Sequence, residues 1–586
     1  MRGNSTLATD VNASQFYLWS STRAGVDWSV SPAGLSSNGY DGHIFWDAET
    51  WMYPSLLAQH RDLAAGMDAY RFQRLTEAEQ HATATGYTGA RFPWESALDG
   101  TEQIPPPTSI NSEGLYEQHI RADIALAQWR YYLVTADKTW LQQQGWPVLS
   151  GAAAFWASRA TLGSDGKYNI NGVTGPDEEN PNVNDEVYTN VGAMRTLQAA
   201  VQAAHVLGIA PPAAWSTIAA GLVVPVDTAL GMHPEFSGYG NQLVKQADVT
   251  LLQYPWGYST SPKLALGDIN FYVPRTDPGG PSMSDAVNLI DNAALNTPGC
   301  ASYVYTERSF EPFIRDVFHQ FSETRTGGAF TFMTGIGGFL QEFLYGYSGM
   351  RWEANSVQLN PSLNGEIGGI VLHDLQWRGR TFTVAIGQQR TTVTLQSGAP
   401  LPIHTPAGLR RVVRGRPLAL TTHRPDLRLE RPGSLQSRHR EQLAAGSPGA
   451  GRGRRQLGHG LGAGVGPRHA DRPDRRPGDP DPHGHAAVGT PVAALAGAER
   501  PAAAVAGGRA PAGELRRPDI EQRPHLAPGR GRDRPRRTRA RHPAPARRAG
   551  AVRQDQGHRA ERDEAPAAAG ADRHRLRGVS GIVGGA

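Results

Sequence analysis

Clustered carboxyls and aromatic faces, held in loops, are the side chains of this sequence that could act together on a sugar. Residues 174–185, TGPDEENPNVND, set Asp177, Glu178 and Glu179 side by side after Gly175 and Pro176. Adjacent carboxyls repel one another when charged, which raises the proton affinity of at least one and suits it to general acid work. Alone, such a triplet reads as a solvated acidic loop or a helix N-terminal charge cluster. Its companions change that reading. Residues 42–52, GHIFWDAETWM, and 92–102, FPWESALDGTE, put Trp46, Asp47, Trp94 and Glu95 in further loops. Glycoside hydrolysis needs two carboxyl groups flanking the scissile bond, and aromatic rings stack on the C–H face of a sugar. Trp46 by itself reads equally well as a core aromatic. Asp47, between aromatics and followed by Glu49, is a poor core residue because an unpaired buried carboxylate is costly. Residues 243–249, LVKQADV, add Lys245 and Gln246; a lone lysine is ordinarily a surface cation.

Other chemistries find little support. His43, His119 and His319 are scattered over different elements, so no metal-ligand spacing arises. Cys300 is the one cysteine, which excludes an intrachain disulfide and a cysteine-based zinc site and reads as a buried thiol. The segment TGIGGFLQ, 334–341, looks like a phosphate-cradling loop but lacks the following lysine and the preceding strand. No Gly-x-Ser-x-Gly elbow with suitable partners is present. No cofactor is implied.

The loops need elements to hold them. Apolar residues at three- and four-residue spacing predict helices over 53–67, 69–85, 116–135, 139–160, 187–207 and 212–220, each followed by Gly, Pro or a polar loop. Helices alternating with chemistry-bearing loops point to a barrel of paired helices with its site at one end. Residues 357–403 alternate apolar and polar positions, as in RTFTVAIG and TTVTLQ, and predict a small antiparallel sheet domain. The expected organisation is a mainly α catalytic domain over 1–355, a β domain over 356–405 and a tail over 406–586.

That tail differs from the rest in kind. From Ala407 onward there are 36 Arg against 17 Asp plus Glu, and no Lys, Asn, Phe, Tyr, Trp, Met or Cys, whereas residues 1–406 carry 22 basic and 37 acidic side chains. A segment without aromatics cannot bury enough surface to offset the entropy of ordering its backbone, so disorder is expected. Its residue types are those of GC-rich codons, the pattern of an out-of-frame reading. A nucleic-acid arm is the alternative, but the charge is scattered among Pro and Gly instead of lying on one helical face. No nucleic-acid partner is expected, and no membrane: residues 1–11 lack the apolar core of a signal peptide, and no apolar run of about 18 residues occurs. The chain reads as soluble, with compartment and oligomeric state undetermined. It enters an aromatic-dense segment by Phe16, so an upstream portion is expected to be missing.

Together GHIFWDAETWM, FPWESALDGTE, VTGPDEENPNVNDEVYTN and LVKQADV resemble glycoside hydrolase family 65, in the branch of acid trehalases and protein glucosylgalactosylhydroxylysine glucosidases. The resemblance spans residues 14–404. It implies an (α/α)6 barrel with a β-sandwich before it, which has no counterpart here, and a small β domain after it. It implies Glu178 as general acid, Trp46 and Asp47 gripping the non-reducing glucose, and Lys245 and Gln246 binding substrate, with Trp94 and Glu95 lining the same pocket. In FSETRTGG, 321–328, Glu323 matches the hydrolase branch's general base; its plain alternative is a helix-end surface carboxylate. The implied reaction is hydrolysis of an α-glucoside with inversion, on trehalose first and kojibiose-type α-1,2-glucosides second. Inversion would set the two carboxyls about 6.5 to 9.5 Å apart. A phosphorylase using inorganic phosphate is the rival within the family, and an inactive carbohydrate-binding protein the rival outside enzymes.

Overall fold

The computed structural model describes residues 1–104, 113–258, 260–315 and 317–427. Among the described residues eleven helices of nine residues or more dominate: α1 Ser5–Ser20, α2 Arg61–Gln73, α3 Leu75–Ala84, α4 Ile120–Thr135, α5 Trp146–Arg159, α6 Val187–Leu207, α7 Ala213–Gly221, α8 Pro262–Tyr272, α9 Asp285–Leu295, α10 Ala301–Phe310 and α11 Met333–Gln341. Neighbours in sequence pack in pairs, α5 on α6, α6 on α7 and α9 on α10, while α4 also touches α2, α5 and α6.

The ends of α6 show why the helical reading worked. Glu186 accepts from the backbone N–H groups of Tyr188 and Thr189, both at 2.7 Å, satisfying donors that the first turn leaves free. Gly208 closes the helix at φ 73°, a conformation open to glycine. Elsewhere boundaries move. The stretch expected over 53–67 breaks at His60 (φ −131°), leaving Tyr53–Leu57 and α2, and the next break falls at Arg74. The stretch expected over 139–160 begins as Lys138–Trp140, widens at Leu141–Gly145 and only then becomes α5, near Pro147, which has no N–H to give. Helices α1 and α8–α11, outside the segment read as helical, complete the frame.

Glu323 lies on a hairpin, not at a helix end: β1 Gln320–Thr324 pairs antiparallel with β2 Gly327–Phe330. Beyond it the chain forms two four-stranded sheets. In the first, β3 Gly369–Trp377, β4 Arg380–Gly387 and β5 Arg390–Ser397 run antiparallel, and Phe382, Val384, Ile386 and Val393 are buried on one face. The second is mixed, because β6 Leu401–Thr405 lies parallel to Val357–Gln358, with Ile403 opposite Val357.

The expected boundary at 405 is too early. Strand β7 Gly408–Val412 pairs with β6, and β8 Leu418–Thr421 completes the first sheet against β5. Arginines hid β7: Arg410 and Arg411 face solvent while Val412 is buried, the charged-edge pattern of an outer strand. Residues 428–586, on which most of the tail reading falls, lie outside the described residues. Cys300 is exposed, in the loop entering α10, contrary to the expected buried thiol. Among the described residues no helix is long and apolar enough to cross a membrane.

Candidate active site

Five segments converge on a cavity of about 260 Å³ lined by Trp46, Asp47, Trp94, Glu95, Glu178, Lys245, Gln246 and Glu323, every candidate site residue of the sequence. Each arrives by its own route. Trp46 leads into a wide helical turn, Asp47–Met52, and its ring meets the edges of Trp51, His119 and Tyr188 at 5.8, 4.9 and 5.9 Å. Asp123 accepts from Thr50 at 2.8 Å and Tyr188 at 2.7 Å and meets His119 Nδ1 at 2.8 Å, so the residues packed on Trp46 are tied together by hydrogen bonds. Asp47 accepts from Thr334 Oγ1 of α11 at 2.6 Å. Burial pushes the Asp47 carboxyl up to about 7; Thr334 opposes that, and Glu178 and Glu323 reinforce it.

One wall is the FPWES segment. The Glu102 carboxylate accepts from the backbone N–H of Trp94 at 2.7 Å and of Glu95 at 3.1 Å, and His43 Nδ1 meets Glu95 Oε1 at 2.6 Å. The facing wall is the acidic loop. Asp177 is wholly buried; its N–H donates to Asp248 at 3.1 Å and its Oδ1 accepts from the Lys245 backbone N–H at 2.8 Å. Gly175 has no room for a Cβ, which would stand 2.5 Å from Glu186 Cδ and 2.7 Å from Asp248 Oδ2. Pinned in this way, the loop presents Glu178 to the cavity, where Lys245 Nζ pairs with its Oε2. Burial works against the Lys245 ammonium, yet Glu178 outweighs it and holds the lysine's pKa above its ordinary value. Burial first, and then Asp177, raise the pKa of Glu179.

Glu323, in the same cavity, has both oxygens occupied. Tyr40 donates to Oε1 at 2.5 Å and the Ala329 N–H to Oε2 at 2.8 Å. The second bond needs Gly328 at φ +81°, since a Cβ there would lie 2.6 Å from Glu323 Oε2. Sequence reasoning missed Tyr40, Phe45, Glu113, Met283 and Phe332, which also line the cavity. Tyr40 had no motif to reveal it: it stands at φ 56° in GYDG, a turn whose conformation depends on its surroundings.

A helical frame whose loops bring paired carboxyls and aromatic rings to one cavity is of the glycosidase class. Comparison with known proteins agrees. Residues 15–242 match the glycosyl hydrolase family 65 central catalytic domain and residues 350–407 the family's C-terminal domain, so the chain belongs to glycosyl hydrolase family 65. A kojibiose hydrolase of Mucilaginibacter mallensis is 37% identical over 377 residues, 64% of this chain and 55% of that protein. A protein-glucosylgalactosylhydroxylysine glucosidase of Dictyostelium discoideum is 38% identical over 402 residues, 67% of this chain and 56% of the other. A periplasmic acid trehalase of Saccharomyces cerevisiae is 31% identical, covering 68% of this chain and 35% of its own length. The chain thus spans about half the length of the first two relatives. Among solved structures, a human-microbiome protein described as a kojibiose phosphorylase shares the fold, with a TM-score of 0.61 at 18% identity over 72% of this chain and 62% of that one.

Proposed function

We propose that this chain carries the catalytic domain of an inverting α-glucoside hydrolase, built as an (α/α)6 barrel with its cavity at the loop end. Glu178 is the general acid that protonates the glycosidic oxygen, and Glu323 is the base that takes a proton from the attacking water. Trp46, Asp47, Trp94, Glu95, Lys245 and Gln246 hold the glucosyl unit. The observation that supports this reading is the state of Glu323: a carboxyl group fixed by Tyr40 and the Ala329 N–H, lining the same cavity as Glu178. Phosphorolysis would need cationic groups for an inorganic phosphate. Among the described residues lining the cavity, Lys245 is the one Lys or Arg, and it is paired with Glu178. The relatives named for kojibiose and for glucosylgalactosylhydroxylysine, at 37% and 38% identity, favour an α-1,2-linked glucoside over trehalose.

The test separates the jobs of the two carboxyls. Glu178→Gln cannot donate a proton, so kcat on kojibiose falls by about 10² to 10⁴. On α-glucosyl fluoride, whose leaving group needs no protonation, the same variant keeps most of its rate. Glu323→Gln is slow on both, and azide restores part of its turnover. Equal impairment of Glu178→Gln on both substrates, or glucose 1-phosphate among the products in phosphate buffer, would refute the assignment.

A further inference from the structure

The cavity has two unlike ends. Trp46, Asp47, Trp94, Gln246, Met283 and Phe332 are buried and form its closed end. Glu113 lines the same cavity but is exposed, so it stands at the mouth. One of its oxygens lies within 4.8 Å of an oxygen of Glu178 and of an oxygen of Glu117. The backbone fixes this placement. Glu113 begins a single helical turn, Glu113–Tyr116, held from several sides. The Glu117 N–H donates to the Glu113 carbonyl at 2.8 Å, the Thr174 N–H to the Tyr116 carbonyl at 3.0 Å, and Arg91 Nη2 to the Leu115 carbonyl at 3.0 Å. A Cβ on Gly114 would stand 3.0 Å from Glu102 Cδ, so the turn presses on the same side chain that fixes Trp94 and Glu95. A carboxyl placed where it repels two others works against the fold, which is the pattern of a functional position.

We propose that Glu113 binds the leaving sugar: its carboxyl accepts hydrogen bonds from hydroxyl groups of the ring released at the mouth, and thereby selects which linkage is cleaved. This rests on Glu178 being the general acid, because the acid marks the position of the bond. The glycosidic oxygen comes within hydrogen-bond reach of Glu178, about 2.6 to 3.2 Å. With the glucosyl unit in the closed end, the second ring then lies on the mouth side, next to Glu113. A carboxyl offers two acceptor oxygens, which suit a pair of neighbouring ring hydroxyls. Changing the linked position turns the second ring about the glycosidic oxygen, so the linkage decides which hydroxyls meet Glu113. Glu117, wholly buried behind it, is out of a sugar's reach. Glu113 is thus the member of this carboxyl group, besides the acid itself, that a substrate meets.

The experiment compares kcat and KM of the full chain and of Glu113→Ala on kojibiose, on the α-1,3- and α-1,4-linked glucobioses, on trehalose and on α-glucosyl fluoride. The disaccharides all need the acid and differ in how the second ring sits; the fluoride has no second ring. On the best-cleaved disaccharide kcat/KM should fall by about 10-fold or more, chiefly through KM. Its lead over the other disaccharides should shrink by a similar factor, while the fluoride loses at most about twofold. Glu113→Gln, which keeps one acceptor oxygen, should lie between. The melting temperature should not fall, since the substitution removes a repelling carboxyl. Equal loss on every disaccharide would mean that Glu113 acts through the acid, and equal loss on the fluoride, with a lower melting temperature, that it is structural; either overturns the proposal, as do unchanged disaccharide kinetics. Glu178→Gln measured alongside separates the failures. If that variant spares the fluoride while Glu113→Ala leaves the disaccharide preference intact, the acid assignment stands and this one falls.

Discussion

Glu323 sits on a short hairpin, and its orientation is the work of its two donors. Tyr40 contributes a charge-assisted hydrogen bond at 2.5 Å, the kind whose loss costs about 1.5 to 3 kcal/mol. Burial and Glu323 itself drive the Tyr40 pKa upward, so the phenol remains a donor across the working pH range. Tyr40→Phe should therefore lower kcat by about 10- to 100-fold with a smaller change in KM. Because the base serves both substrates, the loss should be similar on kojibiose and on α-glucosyl fluoride. A Tyr40→Phe enzyme with wild-type kcat would show that the Ala329 N–H suffices. All eight candidate side chains line the cavity: the tryptophans and the carboxyls Asp47, Glu95 and Glu178 are conspicuous in loops between helices, whereas Lys245, Gln246 and Glu323 stood out only through the resemblance of their motifs to the family's. Tyr40 was not legible. Its importance comes from the Glu323 oxygen it meets, far along the chain, and it stands in no distinctive local pattern.

At the scale of elements, α11 shows what the TGIGG segment does. A Cβ on Gly337 would stand 2.2 Å from the Trp51 carbonyl, and one on Gly338 3.0 Å from the Trp51 ring. The glycines let this fully buried helix press against the Asp47–Met52 turn, where Thr334 reaches Asp47. A segment that looks like a phosphate loop is thus a helix-packing surface. The same scale explains the misplaced end of the β domain. Leu418 and Leu420 pack against the main core, Val412 is fully buried, and Thr422 and His423 are hydrogen-bonded to Thr391 and Leu363. Composition over a window cannot see a four-residue edge strand in which two leucines carry the burial. Ending the chain after residue 406 should bare the edge of β5 and destabilise the protein by about 2 to 4 kcal/mol or more. Ending it after residue 427 should leave the melting temperature within about 1 °C of the full chain. Thermal melts of the two truncations decide; equal melting temperatures would remove β7 and β8 from the stability of the domain.

Across the whole molecule the buried acids set the pH dependence of stability. Burial is the leading cause that drives the pKa values of Asp68, Glu117, Glu235, Asp248, Asp291 and Glu342 well above the carboxylate range, and it lifts Asp47 to about 7. A carboxyl that binds its proton more tightly folded than unfolded contributes most below its unfolded pKa, near 4, and loses that contribution as pH rises through the folded value. For Asp47 the window runs from about 4 to about 7. His81 works the other way: burial lowers its pKa to about 4, so its contribution is complete above about 6.5 and fades as pH falls. Between pH 8 and pH 6.5 unfolded His81 becomes only about half protonated, a loss of about 0.4 kcal/mol, and the several buried carboxyls outweigh it. The melting temperature should therefore rise by about 2 °C or more as pH is lowered across that interval. Residues 1–406 carry 37 acidic against 22 basic side chains, and relief of their surface repulsion would act in the same direction. Salt distinguishes the two, since it screens exposed charges and leaves buried groups almost untouched. A slope that persists in 0.5 M salt, on the order of a 4 Å Debye length, and that flattens in part in Asp47→Asn assigns the effect to the buried carboxyls. A slope that salt abolishes assigns it to the surface, and the raised pKa values would then have no bearing on stability.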